Sequence, residues 1–333
     1  MKEMPAVSVI MPVYNTKIEF LKEAVQSIIH QNFDDFELAI VDNGSSDKDV
    51  REFLNSQKDQ RVQVLTLSQN IGPAKARNYA IKNSNGKHIA FMDSDDVALP
   101  SRLKEEFEYL EYHPATALVC SRTKVLSKEP FDQFKNFSSD RDLELYLLFC
   151  GNPVCTSSVM IRREVLERKN LCFEPEFQMA EDYRLWSQFV FDGVHQLDDV
   201  LCLYRYHSSG VSHLYAKKQA EAFFRARMAI LSEVFGEQVF PNSLWSVISG
   251  QQQASSDDIK QFICFAEHAF TLLAERGYAR GEISSYLLPM VRNLFYHTKG
   301  FRTQLNLFNS PLTKYFNLPL SWRLFCLITR GVL

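Results

Sequence analysis

The first 120 residues of the chain alternate between short apolar runs and amphipathic segments, and this rhythm limits the fold more than any other feature. The β-branched run Val7–Val13 precedes residues 20–29, whose apolar positions recur in helical spacing. Four further apolar runs and two further helical patterns follow, at residues 36–41, 62–67, 88–92 and 117–121 and at residues 74–82 and 101–112. This alternation predicts an α/β fold, a mostly parallel sheet flanked by helices.

Polar residues follow four of the predicted strands at the point where each strand ends. They are Asn15, Asp42, Asn70 and Asp93. In open α/β sheets, ligands bind in the crevice beyond the carboxyl ends of the strands. Chance placement of polar residues in loops would rarely put a polar cluster at the end of each of four strands. The sequence therefore predicts a binding site along this edge of the sheet.

The chain is less regular over residues 122–215. A helix is predicted from Glu181-Asp182, and a strand over residues 198–206 leads to His207. Beyond this region the pattern is helical, with a polar linker predicted at residues 251–256. A length of 333 residues allows one large α/β domain and a smaller appendage.

Composition excludes several classes of protein. Hydrophobic residues make up 46% and charged residues 23%, which suits a globular chain with a full core, and the net charge of −3 argues against a binder of polyanions. The seven cysteines are scattered and never spaced as CxxC, so reduced thiols are predicted rather than a disulfide framework or a zinc site. Neither a secretory signal nor an 18-residue apolar run is found, which predicts a cytoplasmic protein.

The acidic stretch Asp93-Ser94-Asp95-Asp96 follows a buried-looking strand. Clustered carboxylates repel one another unless a cation or hydrogen-bond donors neutralise them. Mg²⁺ or Mn²⁺ bound by one or two carboxylates and by phosphate oxygens would do so. The alternative is an acidic loop that caps the next helix.

Arg77 and Asp42 each allow two interpretations. Arg77 follows Gly72-Pro73, which mark the start of a helix, and helix starts and guanidinium groups both suit phosphate. It could equally lie on a solvated helix surface. Asp42 could accept a hydrogen bond from a uracil ring nitrogen or simply form an Asx-turn.

Two later positions are candidates for catalysis and metal binding. Either Glu181 or Asp182 could act as a general base, although acids also favour helix starts because of the helix dipole. His207 is a candidate metal ligand, but an isolated histidine is more often an ordinary surface or core residue.

Taken in order, six segments resemble a known family. They are VSVIMPVYN, VDNGSSD, NIGPAKARN, FMDSDD, AEDYRLW and YRYHSSGVS, which span roughly residues 5–215. The series resembles the inverting, GT-A-fold glycosyltransferases of family 2. The resemblance implies a GT-A catalytic domain at 1–215, with a Rossmann-like nucleotide-binding half at 1–120 and an acceptor and catalytic half at 121–215. An α-helical C-terminal region would occupy 216–333.

The resemblance also implies a role for each matching residue. Asp182 would be the catalytic base beside Glu181, and Asp95 and His207 would bind Mn²⁺ or Mg²⁺. The nucleotide sugar would contact Pro12, Tyr14, Asn15, Asp42, Asn70, Gly72, Arg77, Asp93 and Ser94. The segment after Glu181-Asp182 lacks the Q-x-x-R-W motif of processive enzymes and is similar to the single-addition branch.

The implied function is transfer of a hexose or N-acetylhexosamine from a nucleotide diphosphate sugar, with UDP as the expected nucleotide. The acceptor would be a hydroxyl of a glycan or lipid-linked molecule, as in bacterial surface polysaccharide synthesis. One alternative is a catalytically silent nucleotide-sugar-binding partner of a glycan assembly complex. Another is a sugar-phosphate nucleotidyltransferase, but residues 1–20 contain no glycine for the phosphate loop that such an enzyme needs.

The last 51 residues, 283–333, contain no acid and six basic residues, interleaved with aromatics. This composition suits an anionic bilayer surface, so a peripheral position on the inner face of the cytoplasmic membrane is one expectation. A packed helical appendage or a homodimer interface is the alternative. Nucleic acid is not expected as a partner, because the acidic cluster would repel phosphate backbones and no recognised nucleic-acid-binding module is visible.

Overall fold

A computed structural model describes residues 4–127, 134–208, 210–236 and 255–296 of the chain. The chain divides into two compact units. The first consists of residues 1–147 and 151–226, and the second of residues 148–150 and 227–333. The first unit contains the sheet and every predicted site residue.

The strands and helices of the described residues are numbered in chain order. The strands are β1 (Val7–Val13), β2 (Phe36–Asp42), β3 (Val62–Thr66), β4 (His88–Phe91), β5 (Val97–Ala98), β6 (Leu118–Leu126), β7 (Val159–Arg162) and β8 (Val194–Arg205). The helices are α1 (Ile18–Ile29), α2 (Lys48–Asn55), α3 (Pro73–Lys82), α4 (Arg102–Tyr112), α5 (Asp140–Phe149), α6 (Arg163–Arg168), α7 (Glu181–Ser187), α8 (Val211–Leu214), α9 (Ala216–Phe235), α10 (Ser256–Glu275) and α11 (Arg280–Tyr296).

Within the described residues, the eight strands form one sheet in the order β3-β2-β1-β4-β7-β6-β8-β5. The pairs among β1, β2, β3 and β4 are parallel, as is the β6–β8 pair. By contrast, β7 pairs antiparallel with β4 and β6, and β5 pairs antiparallel with β8. The predicted α/β fold is confirmed, and the sheet is mixed because β7 inserts antiparallel between its two halves.

The apolar runs that predicted the strands are buried as expected for a sheet covered on both faces. The hydrophobic residues of β1, β2 and β4 are at most 4% exposed, and Leu21, Ala24, Val25 and Ile28 of α1 pack into the same core. Burial of this apolar surface stabilises the sheet and fixes where its strands end.

Local signals fix several helix starts. Asp47 caps α2 by accepting the backbone N–H groups of Asp49 and Val50 at 2.9 and 3.3 Å. Pro73 occupies the first turn of α3, where its missing N–H costs nothing. The predicted linker at 251–256 is wrong at its end, because Ser255 forms a capping box with Asp258 at the start of α10. The rest of that segment, 251–254, lies outside the described residues.

Helices follow the sheet, as predicted for the C-terminal region. In α11, Ile283, Leu287, Val291 and Leu294 are buried at helical spacing. The basic and aromatic stretch predicted to contact a membrane lies mostly at 297–333, outside the described residues. Among the described helices, each is too short or too polar to cross a membrane.

Candidate active site

A cavity of about 670 Å³ lies at the carboxyl ends of β1 and β4. This volume is within the usual range for ligand pockets. From the first half of the chain it is lined by Pro12, Tyr14, Asn43, Asn70, Arg77, Asp93, Ser94 and Asp95. From residues 152–218 it is lined by Asn152, Cys155, Thr156, Glu181, Asp182, Tyr204, Tyr206, His207, Tyr215 and Lys218, among others. The structure thus gathers most of the predicted site residues around one space.

Three predicted nucleotide-binding residues do not line the cavity. Asp42 is 3% exposed, and its Oδ1 accepts the N–H of Ser45, three residues on, at 2.9 Å, so this oxygen binds its own loop. Asn15 Oδ1 accepts the N–H groups of Ser46 and Asp47 at 2.8 and 3.0 Å. The Gly72 N–H donates to Asn70. In the structure these residues shape the loops around the cavity.

Asn43, which the sequence interpretation passed over, joins two of these loops. Its Nδ2 donates to Asn70 Oδ1 at 3.1 Å, and its Oδ1 accepts the Ile71 N–H at 2.9 Å. The loop after β2 is thereby held against the loop after β3, and Asn43 lines the cavity. Its position beside Asp42, at the end of a buried strand, was the signal that could have identified it.

Gly44 is the residue that lets these two loops approach. Its φ is +73°, and a Cβ atom there would lie 2.5 Å from the carbonyl carbon of Gln69. Gly72 also has a positive φ, +86°, but has open space around it. Gly44 therefore meets both a conformational and a steric requirement, whereas Gly72 meets only the first.

We expect Gly44→Ala to lower the free energy of unfolding by roughly 2–6 kcal/mol, from backbone strain plus overpacking. Gly72→Ala is the matched control and is expected to cost only the strain, about 1–3 kcal/mol. Denaturant unfolding of both variants measures the difference. An equal loss in the two would contradict the close approach of the Gly44 and Gln69 backbones.

The three acids of the Asp93-Ser94-Asp95-Asp96 stretch have different surroundings. Asp93 and Asp95 line the cavity, whereas Asp96 is fully buried. Asp96 accepts the Ser157 hydroxyl at 2.5 Å and the Arg205 N–H at 2.8 Å. Burial, followed by the charges of Asp95 and Asp93, raises the pKa of Asp96 well above its ordinary value. The expectation that these acids share one cation therefore does not extend to Asp96.

Asp95 and His207 are 112 residues apart in the sequence, but their side chains are in contact. Asp95 Oδ2 and His207 Nε2 are 3.0 Å apart, and both side chains line the cavity. Neighbouring ligand atoms of an octahedral ion, each about 2.1 Å from the ion, are about 3.0 Å from one another, the same as the distance between Asp95 Oδ2 and His207 Nε2. The pair therefore fits a divalent cation.

A second group of ligand-type atoms includes one residue of the cavity wall, Cys155. One atom each from Asp96, Cys155 and Cys202 fall within 4.8 Å of one another, and all three residues are buried. Burial raises the pKa of the Cys155 thiol well above its usual range, and a thiol must be deprotonated to bind a metal. A protonated thiol is a poor metal ligand, so the buried group is a weaker candidate for a cation than the pair Asp95 and His207.

The side chains of Ser94 and Tyr14 line the part of the cavity next to the loops after β4 and β1. Ser94 Oγ lies 2.6 Å from Thr16 Oγ1, which ties the acidic stretch to the loop after β1. Tyr14 is 50% exposed, so its ring is free to contact a ligand in the cavity. Pro12 completes this wall.

Arg77 is buried rather than solvated. Its Nη2 donates to Asp93 Oδ1 at 2.7 Å and its Nη1 donates to Glu181 Oε1 at 3.1 Å. The guanidinium is 5.3 Å from the centre of the Phe173 ring. Burial lowers the pKa of Arg77, but the charges of Asp93 and Glu181 together outweigh it, so the pKa lies above its ordinary value.

Asp182 lies at the first turn of α7 and lines the cavity. Its Oδ2 accepts Asn152 Nδ2 at 2.9 Å and Thr156 Oγ1 at 3.1 Å, and its Oδ1 accepts the Tyr183 N–H at 2.7 Å. Burial, followed by the charge of Glu181, raises the pKa of Asp182 from 3.8 to about 6. A carboxylate with such a pKa can accept a proton near neutral pH.

Asn152 and Thr156, which hold Asp182, were not assigned a role from sequence. They lie before β7, in the part of the chain whose sequence pattern is less regular. Their contact with Asp182 spans 30 and 26 residues. A periodic sequence pattern predicts helices and strands, but it does not predict a contact between two side chains so far apart in the sequence.

Comparison with known proteins places this geometry in a family. Residues 8–169 match the sequence model described as Glycosyl transferase family 2. A relative from Escherichia coli, UDP-Glc:alpha-D-GlcNAc-diphosphoundecaprenol beta-1,3-glucosyltransferase WfaP, is 27% identical over 221 residues. That alignment covers 63% of this chain and 80% of the relative.

Two solved structures have the same fold. Staphylococcus aureus TarS 1-349, in complex with UDP-GlcNAc, gives a TM-score of 0.55 at 18% identity and covers 93% of this chain and 89% of that one. The mannosyltransferase PcManGT from Pyrobaculum calidifontis, in complex with GDP-Man and Mn²⁺, gives 0.52 at 17% identity, with 89% and 88% covered. The domain that spans residues 8–169 belongs to glycosyl transferase family 2.

Proposed function

We propose that this glycosyltransferase moves a hexose or N-acetylhexosamine from a nucleotide diphosphate sugar to an acceptor hydroxyl, with inversion at the anomeric carbon. One observation carries the proposal. A carboxylate with a raised pKa, Asp182, lines the same cavity as the cation-type pair Asp95 and His207. Donor activation and proton removal can therefore act on one bound substrate.

The nucleotide is proposed to bind between the loops after β1, β2 and β3, and we favour UDP. Pro12, Tyr14, Asn43 and Asn70 line this part of the cavity. Asparagine side chains can both donate to and accept from a base. The complex of TarS with UDP-GlcNAc supports a uridine donor, and the mannosyltransferase with GDP-Man is the reason to test guanosine donors as well.

Asp95 and His207 are proposed to hold Mn²⁺ or Mg²⁺. When bound, the ion would neutralise the diphosphate leaving group. Asp93, on the same loop, would lie near the ribose or the transferred sugar. The Mn²⁺ complex of the mannosyltransferase supports a divalent cation.

Asp182 is proposed as the general base. The acceptor hydroxyl gives its proton to the Asp182 carboxylate as its oxygen bonds to the anomeric carbon. The bond from that carbon to the diphosphate oxygen breaks, and the nucleoside diphosphate leaves with both electrons. Asn152 and Thr156 orient the carboxylate, so the reacting atoms meet in a fixed geometry.

The acceptor is proposed to enter beside α7 and the start of α9. Tyr206, His213, Tyr215 and Lys218 line the cavity there, and the Tyr183 ring packs 5.7 Å from Phe223 of α9. Aromatic and basic side chains suit a sugar that carries a phosphate. The name of WfaP, whose acceptor is a diphosphoundecaprenol-linked sugar, supports a glycan or lipid-linked acceptor of this kind.

The pH profile of turnover tests the role of Asp182. Since a base must be ionised to accept a proton, turnover should rise with pH and reach half its plateau near pH 6, the pKa raised by burial and by Glu181. At pH 5 about a tenth of the plateau is expected. Circular dichroism at each pH checks that the fold persists. A half-point near the ordinary aspartate value of 3.8 would remove Asp182 from this role.

A panel of nucleotide sugars, scored by release of nucleoside diphosphate with and without Mn²⁺, tests the function as a whole. We expect one uridine donor to release UDP slowly without acceptor, by hydrolysis, and faster with acceptor, by sugar transfer. If none of the donors in the panel released nucleoside diphosphate, that result would favour the silent binding partner over the enzyme.

A further inference from the structure

We infer that Arg77 is a positioning residue, which joins the loop after β4 to the start of α7 and so orients Asp182, and that it does not bind the donor phosphate. This inference rests on the proposed role of Asp182. It replaces the nucleotide-binding role that sequence resemblance implied for Arg77.

The first reason is that Arg77 links three elements. The residue lies on α3, and its two donor nitrogens contact Asp93, which follows β4, and Glu181, the first residue of α7. Each contact is a charge-assisted hydrogen bond, the stronger kind. Glu181 and Asp182 are adjacent residues, so a contact that fixes the position of Glu181 also fixes the position of Asp182.

The second reason is that Arg77 has little surface to offer a ligand. The residue is 7% exposed, one face of the guanidinium is near the Phe173 ring, and the Nε atom is buried with no partner among the described residues. A phosphate that reached it would compete with two carboxylates already in place.

The third reason concerns the turn before α7. Met179 has a φ of +78°, which is unfavourable for a residue with a side chain. Glu181 Oε2 accepts the Met179 N–H at 2.7 Å while Oε1 binds Arg77. Arg77 and Glu181 together hold a strained turn from which Asp182 projects into the cavity.

Arg77 also acts on the charge of Asp182. The charged groups that influence Asp182 are Glu181, which raises its pKa, and Arg77, which lowers it. Its remaining partners, Asn152, Thr156 and the Tyr183 N–H, are neutral donors. Loss of the Arg77 cation should therefore raise the pKa of Asp182 further.

Three variants test the inference: Arg77→Lys, Arg77→Met and the double variant Arg77→Met/Glu181→Gln. Carbon NMR of ¹³C-labelled aspartate follows the titration of Asp182, and calorimetry follows binding of UDP with Mn²⁺. In Arg77→Met we expect the Asp182 pKa to rise and kcat at pH 7 to fall about 10²-fold, the usual cost of a misplaced group. UDP affinity should stay within about threefold, well below the effect of losing a direct phosphate contact.

The double variant removes a buried cation and a buried anion together, so it stays folded if Arg77→Met alone does not. Its Asp182 pKa should return to the wild-type value or below, because Glu181 has the larger effect. Arg77→Lys keeps the charge and should hold the Asp182 pKa closer to wild type than Arg77→Met does.

Arg162→Met is the matched control. Arg162 is also 7% exposed, but it donates to the carbonyl oxygens of Thr116 and His113, away from the cavity. It should lower stability without moving the Asp182 pKa. An Asp182 pKa unchanged in Arg77→Met, or a tenfold loss of UDP affinity, would overturn the inference. Since neither readout needs transfer activity, failure of the proposed function appears separately, as wild-type protein that transfers no sugar.

Discussion

Asp182→Asn is expected to lower turnover about 10²–10⁴-fold, the usual contribution of a general base. The amide is nearly the same size as the carboxylate, but it cannot take the acceptor proton at neutral pH. The amide oxygen can take the place of Oδ2, which accepts from Asn152 and Thr156 in the structure, so only the Tyr183 N–H loses its acceptor. We therefore expect the fold and the affinity for UDP to survive, so that the loss falls on kcat.

Asp198→Asn makes the same chemical change on a side chain that is 87% exposed and paired with Arg122. It should leave turnover and UDP binding unchanged. Steady-state kinetics with a fixed donor and calorimetry with UDP compare the two variants. Near-normal turnover in Asp182→Asn would mean that another group removes the proton.

The second large effect is expected from Asp95→Asn. A bound cation contributes several kcal/mol of charge stabilisation at a diphosphate. Since 1.36 kcal/mol corresponds to a tenfold change in rate, loss of the cation should lower turnover about 10²–10³-fold. Substitution of Asp95 should cause a loss of this size and should raise the Mn²⁺ concentration needed for half-maximal turnover. Treatment of the wild-type protein with a chelator should have a similar effect, reversed by added Mn²⁺.

Cys202→Ser separates the two groups of ligand-type atoms. Cys202 belongs to the buried group with Asp96 and Cys155, and it lies outside the wall of the cavity. Turnover measured against Mn²⁺ concentration should therefore be the same as in the wild-type protein. If the Mn²⁺ dependence followed Cys202 rather than Asp95, the cation would sit in the buried group.

The parallel half of the sheet could be predicted from sequence because its strands are apolar and are bounded by turns. β1 has the predicted bounds, and β2, β3 and β4 differ from them by one residue. The antiparallel insertion of β7 could not, because a four-residue run does not specify its neighbours. Helix α2 was missed since its sequence, KDVREFLN, has few apolar residues.

For the site, prediction worked best where chemistry is carried by a charged residue at an element end. Asp95, His207 and Asp182 line one cavity, although their roles stay predictions. Asp42 and Asn15 do not line the cavity and their side-chain oxygens accept loop N–H groups, and their nucleotide-binding roles also stay predictions. A sequence shows that a polar residue follows a strand, but not whether its side chain turns towards the ligand or towards its own backbone.

The two-residue strand β5 has a consequence for folding. Its Val97 and Ala98 pair with Leu203 and Cys202 of β8, which brings Asp95 and His207 together across 112 positions of sequence. A contact of such long range closes a large loop and forms late, after local structure. A nascent or truncated chain that lacks β8 would therefore have one of the two proposed ligands, and we expect it to bind no Mn²⁺ at this site before the domain is complete.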